Sequence, residues 1–402
     1  MSDRVLIVGA GHAGATLAGL LRQAGHTGPV HLFGDEPELP YHRPPLSKKF
    51  AGGELEQWLR PAEFYREQDI AVHVGEHVVE IDRARRTACT ASGTSHSYDH
   101  LVLATGARPR ALPVPGAELA GVVSLRTLAD ARALRTSIAQ RRPMVIIGGG
   151  YIGLEVAAVA RANGVEVTVL EREDRVLARV ASPHLSEILA AHHREQGTKI
   201  VTGAAVSRLD GHDGRVRAVV LKDGTTIPGE SVLVGVGAVP RDELAIAAGL
   251  RCEQGIVVDA HTRTSDPHIL AIGDVTRRPC QDFLVRLESI PSATEQAKQA
   301  AATILGGTPV AAEVPWFWSD QFDLKLKIAG LVPPRPATIV RGDPATGRFA
   351  LFHHDGGTVT AVESANSPAE FMAGKKFIAS GARVDPARLA DDRVPLRDAV
   401  IA

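Results

Sequence analysis

Two short apolar runs that break into glycine set the pattern of this chain. Arg4-Val5-Leu6-Ile7-Val8 leads into Gly9-Ala10-Gly11-His12-Ala13-Gly14, and Met144-Val145-Ile146-Ile147 leads into Gly148-Gly149-Gly150-Tyr151-Ile152-Gly153. Each reads as a β-strand, a glycine turn and the start of a helix. After the first turn, Leu17, Leu20 and Leu21 keep a helical spacing until Gly25 stops them. A further strand follows each unit: Val30-His31-Leu32-Phe33 after the first, and Val165 to Leu170 after the second. The glycines fall at the G-x-G-x-x-G spacing. That spacing suits a tight turn, close approach of backbone to a pyrophosphate, and close helix–sheet packing. An acid closes each unit, at Asp35 and Glu171. Each stands where a ribose hydroxyl would be held, and the phosphates would lie at the helix N-terminus.

The pattern continues in parallel after each unit. Tyr98 to Leu103 is an apolar strand breaking at Ala104-Thr105-Gly106, and Ser231 to Val234 breaks at Gly235-Val236-Gly237. Fingerprint, acid, hairpin region and strand–glycine turn therefore occur twice, as an internal duplication. Ile269 to Ile272 is another short strand, ending in Gly273-Asp274. Thr127 with Asp130, and Ser292 with Glu295, have the spacing of helix N-caps. Pro40 to Lys49 carries the Pro44-Pro45 pair and predicts a rigid loop leading into a helix. Trp58 to Asp69 predicts an amphipathic helix. From Pro315 onward the pattern changes to short alternating strands, closed by a helix from Ser367 to Ser380. The expected fold is α/β, with two Rossmann-like dinucleotide-binding domains and a C-terminal α+β domain.

Composition narrows the class. With 402 residues, 44% hydrophobic and 23% charged, the chain is long and apolar enough for several globular cores. A net charge of −1 gives no overall basic field, so nucleic acid is not expected as a partner. The apolar runs fall far short of the ~20 residues needed to cross a bilayer, and the N-terminus does not read as a signal peptide. A cytoplasmic protein without a membrane segment is expected. Cys89, Cys252 and Cys280 are far apart and form no C-x-x-C pair. That argues against a disulfide framework, a zinc site and a dithiol redox centre, and no metal site is expected.

The motifs in order are Gly9-x-Gly11-x-x-Gly14, Arg43-Pro44-Pro45-Leu46-Ser47-Lys48, Ala104-Thr105-Gly106, Gly148 to Glu155, Ile272-Gly273-Asp274 and Trp316-Phe317-Trp318-Ser319-Asp320-Gln321. In this order they resemble the FAD-dependent, NADH-utilising ferredoxin reductases that serve bacterial cytochrome P450s and aromatic-ring dioxygenases. The resemblance implies a glutathione reductase-like frame. An FAD-binding domain (1–108 and 243–315) would be interrupted by an NADH-binding domain (109–242), with a C-terminal domain at 316–402. It implies FAD held by Gly9, Gly11, Ala13 and Gly14 at the phosphate turn, with Asp35 at the adenosine ribose and Val78 at the adenine. Lys48 and Arg126 would lie near the flavin, Asp274 at the ribityl–pyrophosphate end and Ile290 at the ring. Arg43, Ala104, Thr105, Gly106 and Gly273 belong to the same set. NADH would be held by Gly148, Gly150, Tyr151, Ile152, Gly153, Glu171 and Gly237. Glu155 and Glu288 match positions near the nicotinamide carboxamide. Trp316 and Trp318 fit core packing, a place covering the flavin, or a place near the approach of the electron carrier.

The implied reaction is hydride transfer from NADH to flavin N5, then single electrons to a [2Fe–2S] ferredoxin feeding an oxygenase. Lys48, Glu155 and Glu288 are the expected catalytic residues, with Lys48 near N5 and paired to Glu155. Glu171 argues for NADH, because a carboxylate repels a 2′-phosphate. The neighbouring Arg172 works the other way, since a guanidinium binds phosphate. Arg108, Arg110, Arg277, Arg278, Lys325, Lys327 and Arg335 are candidates for a basic surface meeting an acidic ferredoxin. A monomer or weak dimer is expected. A disulfide reductase on this frame needs a cysteine pair that the chain does not have. The alternative of another class is an NADH-sensing redox flavoprotein related to apoptosis-inducing factor.

Overall fold

The computed structural model describes residues 3–280 and 283–401. The chain forms two compact units. One comprises Met1–His42, Glu56–Arg108 and Ala238–Glu313; the other comprises Arg43–Leu55, Pro109–Gly237 and Val314–Ala402.

In the first unit, strand Val5–Val8 is buried along its whole length and lies at the centre of a five-stranded sheet. Val30–Gly34 and His100–Leu103 flank it in parallel, with Ile70–Val74 and Ile269–Ala271 outside them. The strand at Ile269 thus returns to the sheet begun at the N-terminus. Val5 and Ile7 face a layer containing Leu17, Leu21, Ala297 and Ala300, from helices His12–Gln23 and Ile290–Ile304. Leu6 and Val8 face Val78, Ile81 and Ala88 of an antiparallel ribbon, with Leu250 and Ile256. Both faces are covered, which is why these strands show no polar alternation. Full burial of one such side chain contributes roughly 1.5–3 kcal/mol. The chain runs outward on one side of Val5–Val8 and then resumes on its other side at His100–Leu103. The switch point, where open α/β sheets bind ligands, therefore lies between the carboxyl ends of these two strands.

The second unit repeats the plan. Met144–Ile147 is flanked in parallel by Val167–Leu170 and Ser231–Val234, with Lys199–Val201 and Val122–Val123 at the edges. The same unit contains an antiparallel sheet in the order Trp316–Gln321, Leu324–Gly330, Thr358–Ala365, Arg348–Asp355, Ala337–Asp343. Helix Pro368–Ser380 packs on this sheet, and Phe371 and Phe377 join Phe352 and Val362 in its core.

Local expectations are met unevenly. Thr127 and Asp130 form a complete capping box. The N-cap expected at Ser292 is instead Ser289, whose side chain accepts the Ser292 amide; Pro291 sits in the first helical turn, where its missing N–H costs nothing. Helix near Trp58 is confined to Ala62–Glu67, because Pro61 fixes its start and the chain at Trp58 forms an isolated bridge with Tyr41. The Pro44-Pro45 loop becomes the short helix Pro45–Lys48. Arg135 holds the following stretch by donating to the carbonyls of Phe50 (2.6 Å) and Gly53 (2.5 Å).

Candidate functional site

Each glycine turn is built by the same contacts. A Cβ on Gly9 would stand 2.1 Å from the carbonyl oxygen of Ala104, and one on Gly148 would stand 2.3 Å from that of Gly235. Both glycines also have positive φ, +117° and +108°. Each first glycine thus crosses tightly over the neighbouring strand end, where no side chain fits. Gly14 and Gly153 are pressed onto the carbonyls of Gly9 and Gly148, at 2.1 and 2.4 Å from an added Cβ. The middle glycines differ. An added Cβ on Gly11 or Gly150 would meet no atom within 4 Å. The turns are therefore closed on the protein side and open on the other.

Helices His12–Gln23 and Tyr151–Ala162 begin at these open glycines. Neither has a side-chain cap or an acid in its first turn. The helices starting at Leu128, Pro183 and Ile290 are capped by Thr127, Ser182 and Ser289, whereas those starting at Pro45, Ala62, Glu243 and Pro368 also lack a side-chain cap. The first residue of each fingerprint helix also carries a buried polar atom without a partner among the described residues: His12 Nδ1 and the Tyr151 hydroxyl. Burial, with His42 nearby, lowers the His12 pKa to about 4, against an upward pull from Asp274. Burial first, then the charges of Glu363 and Glu155, raise the Tyr151 pKa well above its usual value. Both side chains are neutral at pH 7, and the uncapped amides supply positive potential for phosphate. The residues present fit two dinucleotides.

Glu171 Oε2 accepts the Gly149 amide at 2.7 Å, and Oε1 accepts the Glu173 amide at 2.9 Å. Arg172 is exposed and turned to Glu173, 2.7 Å away. Asp35 is exposed at the end of its strand and pairs with Arg241 at 2.6 Å. Thr105 donates to the Arg241 carbonyl at 2.6 Å, and Arg241 N–H donates to Gly106 at 2.9 Å, tying the Ala104-Thr105-Gly106 turn to that segment.

The structure brings Lys48 and Glu155 together. Lys48 Nζ donates to Glu155 Oε1, Ser319 Oγ donates to the same oxygen at 2.6 Å, and Ser47 Oγ donates to Oε2 at 2.5 Å. Glu155 is 4% exposed. A buried carboxylate is tolerated only when paired and hydrogen-bonded, and here donors reach both oxygens. Arg43 donates to the Arg126 carbonyl at 2.7 Å, so these two expected residues also meet.

The chain matches the pyridine nucleotide-disulphide oxidoreductase family over residues 3–301 and the reductase C-terminal family over residues 316–400. It is 46% identical to a Castellaniella defragrans protein named probable ferredoxin reductase CtmF, with 98% of each chain covered. It is 41% identical to putidaredoxin reductase CamA of Pseudomonas putida, over 100% of this chain and 97% of that one. The chain belongs to the ferredoxin reductases of the pyridine nucleotide-disulphide oxidoreductase family. A solved covalent putidaredoxin reductase–putidaredoxin complex has a chain that superposes with a TM-score of 0.95 at 42% identity, covering 98% and 97% of the two chains. Members of this family bind FAD and NAD(H), and so does this reductase.

In this reductase the remaining expected residues are dispersed. Glu288 is exposed and paired with Arg286. Ile290 is the first residue of its helix. Gly273 donates its amide to Gln296 Oε1 at 3.1 Å, just before Asp274. Val78 is a core residue, 3% exposed, on the ribbon strand paired with Thr90. Trp316 packs on Phe371 in the C-terminal core, and Trp318 lies half-buried beside it at 5.9 Å. Among the basic candidates, Arg278 is not a surface residue: it is 8% exposed and donates to buried Glu295 at 2.7 Å. Sequence reasoning missed His12, Ser47, Arg135 and Ser319 as parts of these sites. The period-two alternation of the Trp316–Gln321 run carried a signal for Ser319, since it places Phe317, Ser319 and Gln321 on one face.

Proposed function

We propose that this protein is an NADH-dependent ferredoxin reductase that delivers single electrons to a [2Fe–2S] ferredoxin serving a P450 or a ring-hydroxylating oxygenase. The carrying observation is the pair of matched glycine turns, each closed by a strand carbonyl and open above an uncapped helix. The chemistry that bound FAD would supply is acceptance of a hydride from NADH and release of the two electrons one at a time. Gly9, Gly11, Ala13 and Gly14 would hold the FAD pyrophosphate, with Asp35 at the ribose and Gly273 and Asp274 beyond it. Gly148 to Gly153 would hold the NADH pyrophosphate, with Glu171 at the ribose. Lys48 would offer its ammonium to the flavin, and Glu155 fixes that ammonium in place. Preorganised charge of this kind counts most where water is excluded.

The FAD-binding part is assigned to 1–108 and 243–315, and the NADH-binding part to 109–242. A cytoplasmic monomer or weak dimer goes with this reading. The alternative of an NADH-sensing flavoprotein is not favoured, since the full-length similarities are to ferredoxin reductases. Among the described residues, no helix is long and apolar enough to cross a membrane. The test is an absorption spectrum of the purified protein followed by anaerobic stopped-flow mixing with NADH. A flavin spectrum bleached by NADH is expected. A protein that gains no flavin spectrum when FAD is added contradicts the reading.

A further inference from the structure

We infer that Ser319 and Gln321, on the C-terminal sheet, are positioning residues for the Lys48–Glu155 pair. The inference rests on the reading that this pair serves flavin reduction.

Strand Trp316–Gln321 alternates, and its inward residues all meet helices of the nucleotide-binding sheet. Phe317 packs edge-on to Tyr151 at 4.8 Å, Ser319 reaches Glu155, and Gln321 reaches His193. His193 lies on helix Pro183–Glu195. Ser319, Gln321 and His193 are each 0% exposed. No water competes for their polar groups, so every donor and acceptor counts.

The direction of each hydrogen bond follows from chemistry. Gln321 Oε1 only accepts, so the His193 Nε2 that meets it at 3.0 Å carries the proton. This orients the amide and aims Gln321 Nε2 at Ser319 Oγ, 3.1 Å away. The amide donates, so it occupies an acceptor site of the hydroxyl. The Ser319 hydrogen is then left for Glu155 Oε1, at 2.6 Å. Burial lowers the His193 pKa to about 4, which keeps the ring neutral at pH 7.

The sequence His193–Gln321–Ser319–Glu155 is thus a one-way chain of donors ending on a carboxylate, to which Lys48 donates from the other side. It keeps a donor on the same oxygen that binds Lys48. It also fixes the carboxylate rotamer from a second element, independently of the loop that carries Ser47 and Lys48. Strand 316–321 needs hydroxyl and amide side chains here for that reason. An apolar inward face would pack as well and would leave Glu155 held only by the short helix Pro45–Lys48.

The experiment is single-turnover flavin reduction by NADH in the FAD-loaded protein, for Ser319→Ala, Ser319→Thr, Gln321→Met and Lys48→Met. Loss of a hydrogen bond to a charged group is of the size that gives about a ten-fold effect. Ser319→Ala is expected to lower the limiting rate about ten-fold while the half-saturating NADH concentration changes by less than about two-fold. Gln321→Met is expected to act in the same direction, and Ser319→Thr, which keeps the hydroxyl, to restore most of the rate. If Ser319→Ala and Gln321→Met reduce at the wild-type rate while Lys48→Met is slow, the positioning role is wrong and the Lys48 assignment stands. If Lys48→Met is also unchanged, the reading beneath it has failed as well. If Ser319→Thr is as slow as Ser319→Ala, the hydroxyl is not the active feature, and the inference is overturned.

Discussion

Glu171 accepts the Gly149 amide at 2.7 Å, so the acid after the second nucleotide strand is tied to the glycine turn itself. Its position relative to the pyrophosphate turn is therefore fixed before any ligand arrives. The adjacent Arg172 is committed to Glu173, also within that loop. The guanidinium that could have favoured a 2′-phosphate is thereby drawn to a carboxylate. The expected outcome is a kcat/KM for NADH at least about ten-fold above that for NADPH, the size of one charge-assisted hydrogen bond. Glu171→Ala should shrink the ratio, chiefly through KM for NADH. Comparable kcat/KM values for the two cofactors in the wild-type protein would contradict this assignment.

The matched turns separate two kinds of glycine by experiment. Gly9→Ala must push a Cβ into the Ala104 carbonyl at positive φ, and should impair folding of the first sheet. Gly11→Ala and Gly150→Ala add a methyl where the protein leaves space. They should fold with near-normal thermal transitions. Gly11→Ala should retain less FAD after gel filtration. Gly150→Ala should keep FAD and raise KM for NADH several-fold. Equal loss of FAD from both variants would mean the turns are not divided between two ligands.

These turns were also the most legible part of the sequence. Gly9, Gly11 and Gly14, with the apolar run before them and Asp35 after, define strand, turn, helix and strand from local chemistry alone. What stayed hidden depends on long-range contact. Glu155 reads as an acid early in a helix; nothing local shows that Ser319, far along the chain, ends on it. Arg278 reads as surface charge beside Arg277, and only the fold reveals Glu295 across from it. The N-cap misplaced onto Ser292 is a register error of one turn, since Ser289 and Ser292 both have cap chemistry and the choice rests on where Pro291 is placed.

Arg278 offers a stability test for that correction. Removing it leaves the buried Glu295 carboxylate without its cation, a change that typically costs about 3–5 kcal/mol. Arg278→Ala should lower Tm by several degrees. The salt dependence of ferredoxin reduction should stay as in the wild type. A variant with unchanged Tm and weaker ferredoxin coupling would return Arg278 to the docking surface.

Acid should destabilise the fold through two imidazoles, the partly buried His12 and the fully buried His193. His12 and His193 each have a folded-state pKa of about 4, against an ordinary 6.5, because burial disfavours the charged ring. The unfolded chain therefore takes up protons first as pH falls, and each stabilising contribution is present above pH 6.5 and lost between 6.5 and about 4. At about 1.4 kcal/mol per pKa unit, fully buried His193 alone accounts for on the order of 3 kcal/mol. Tm should decline over this window, and His193→Gln should flatten the decline. A Tm independent of pH from 6.5 to 4 would show that the rings are protonated in the fold.

The most direct test of the account is electron delivery. The FAD-loaded protein is reduced with one equivalent of NADH without oxygen, then mixed with an oxidised [2Fe–2S] ferredoxin while flavin and iron–sulfur absorbance are followed together. Recovery of oxidised flavin should match the bleaching of the ferredoxin, two ferredoxins per flavin, with repeated turnover when NADH is in excess. A reduced flavin that persists unchanged in the presence of ferredoxin, while small dyes still oxidise it, would contradict the assignment as a ferredoxin reductase and favour an NADH-sensing role.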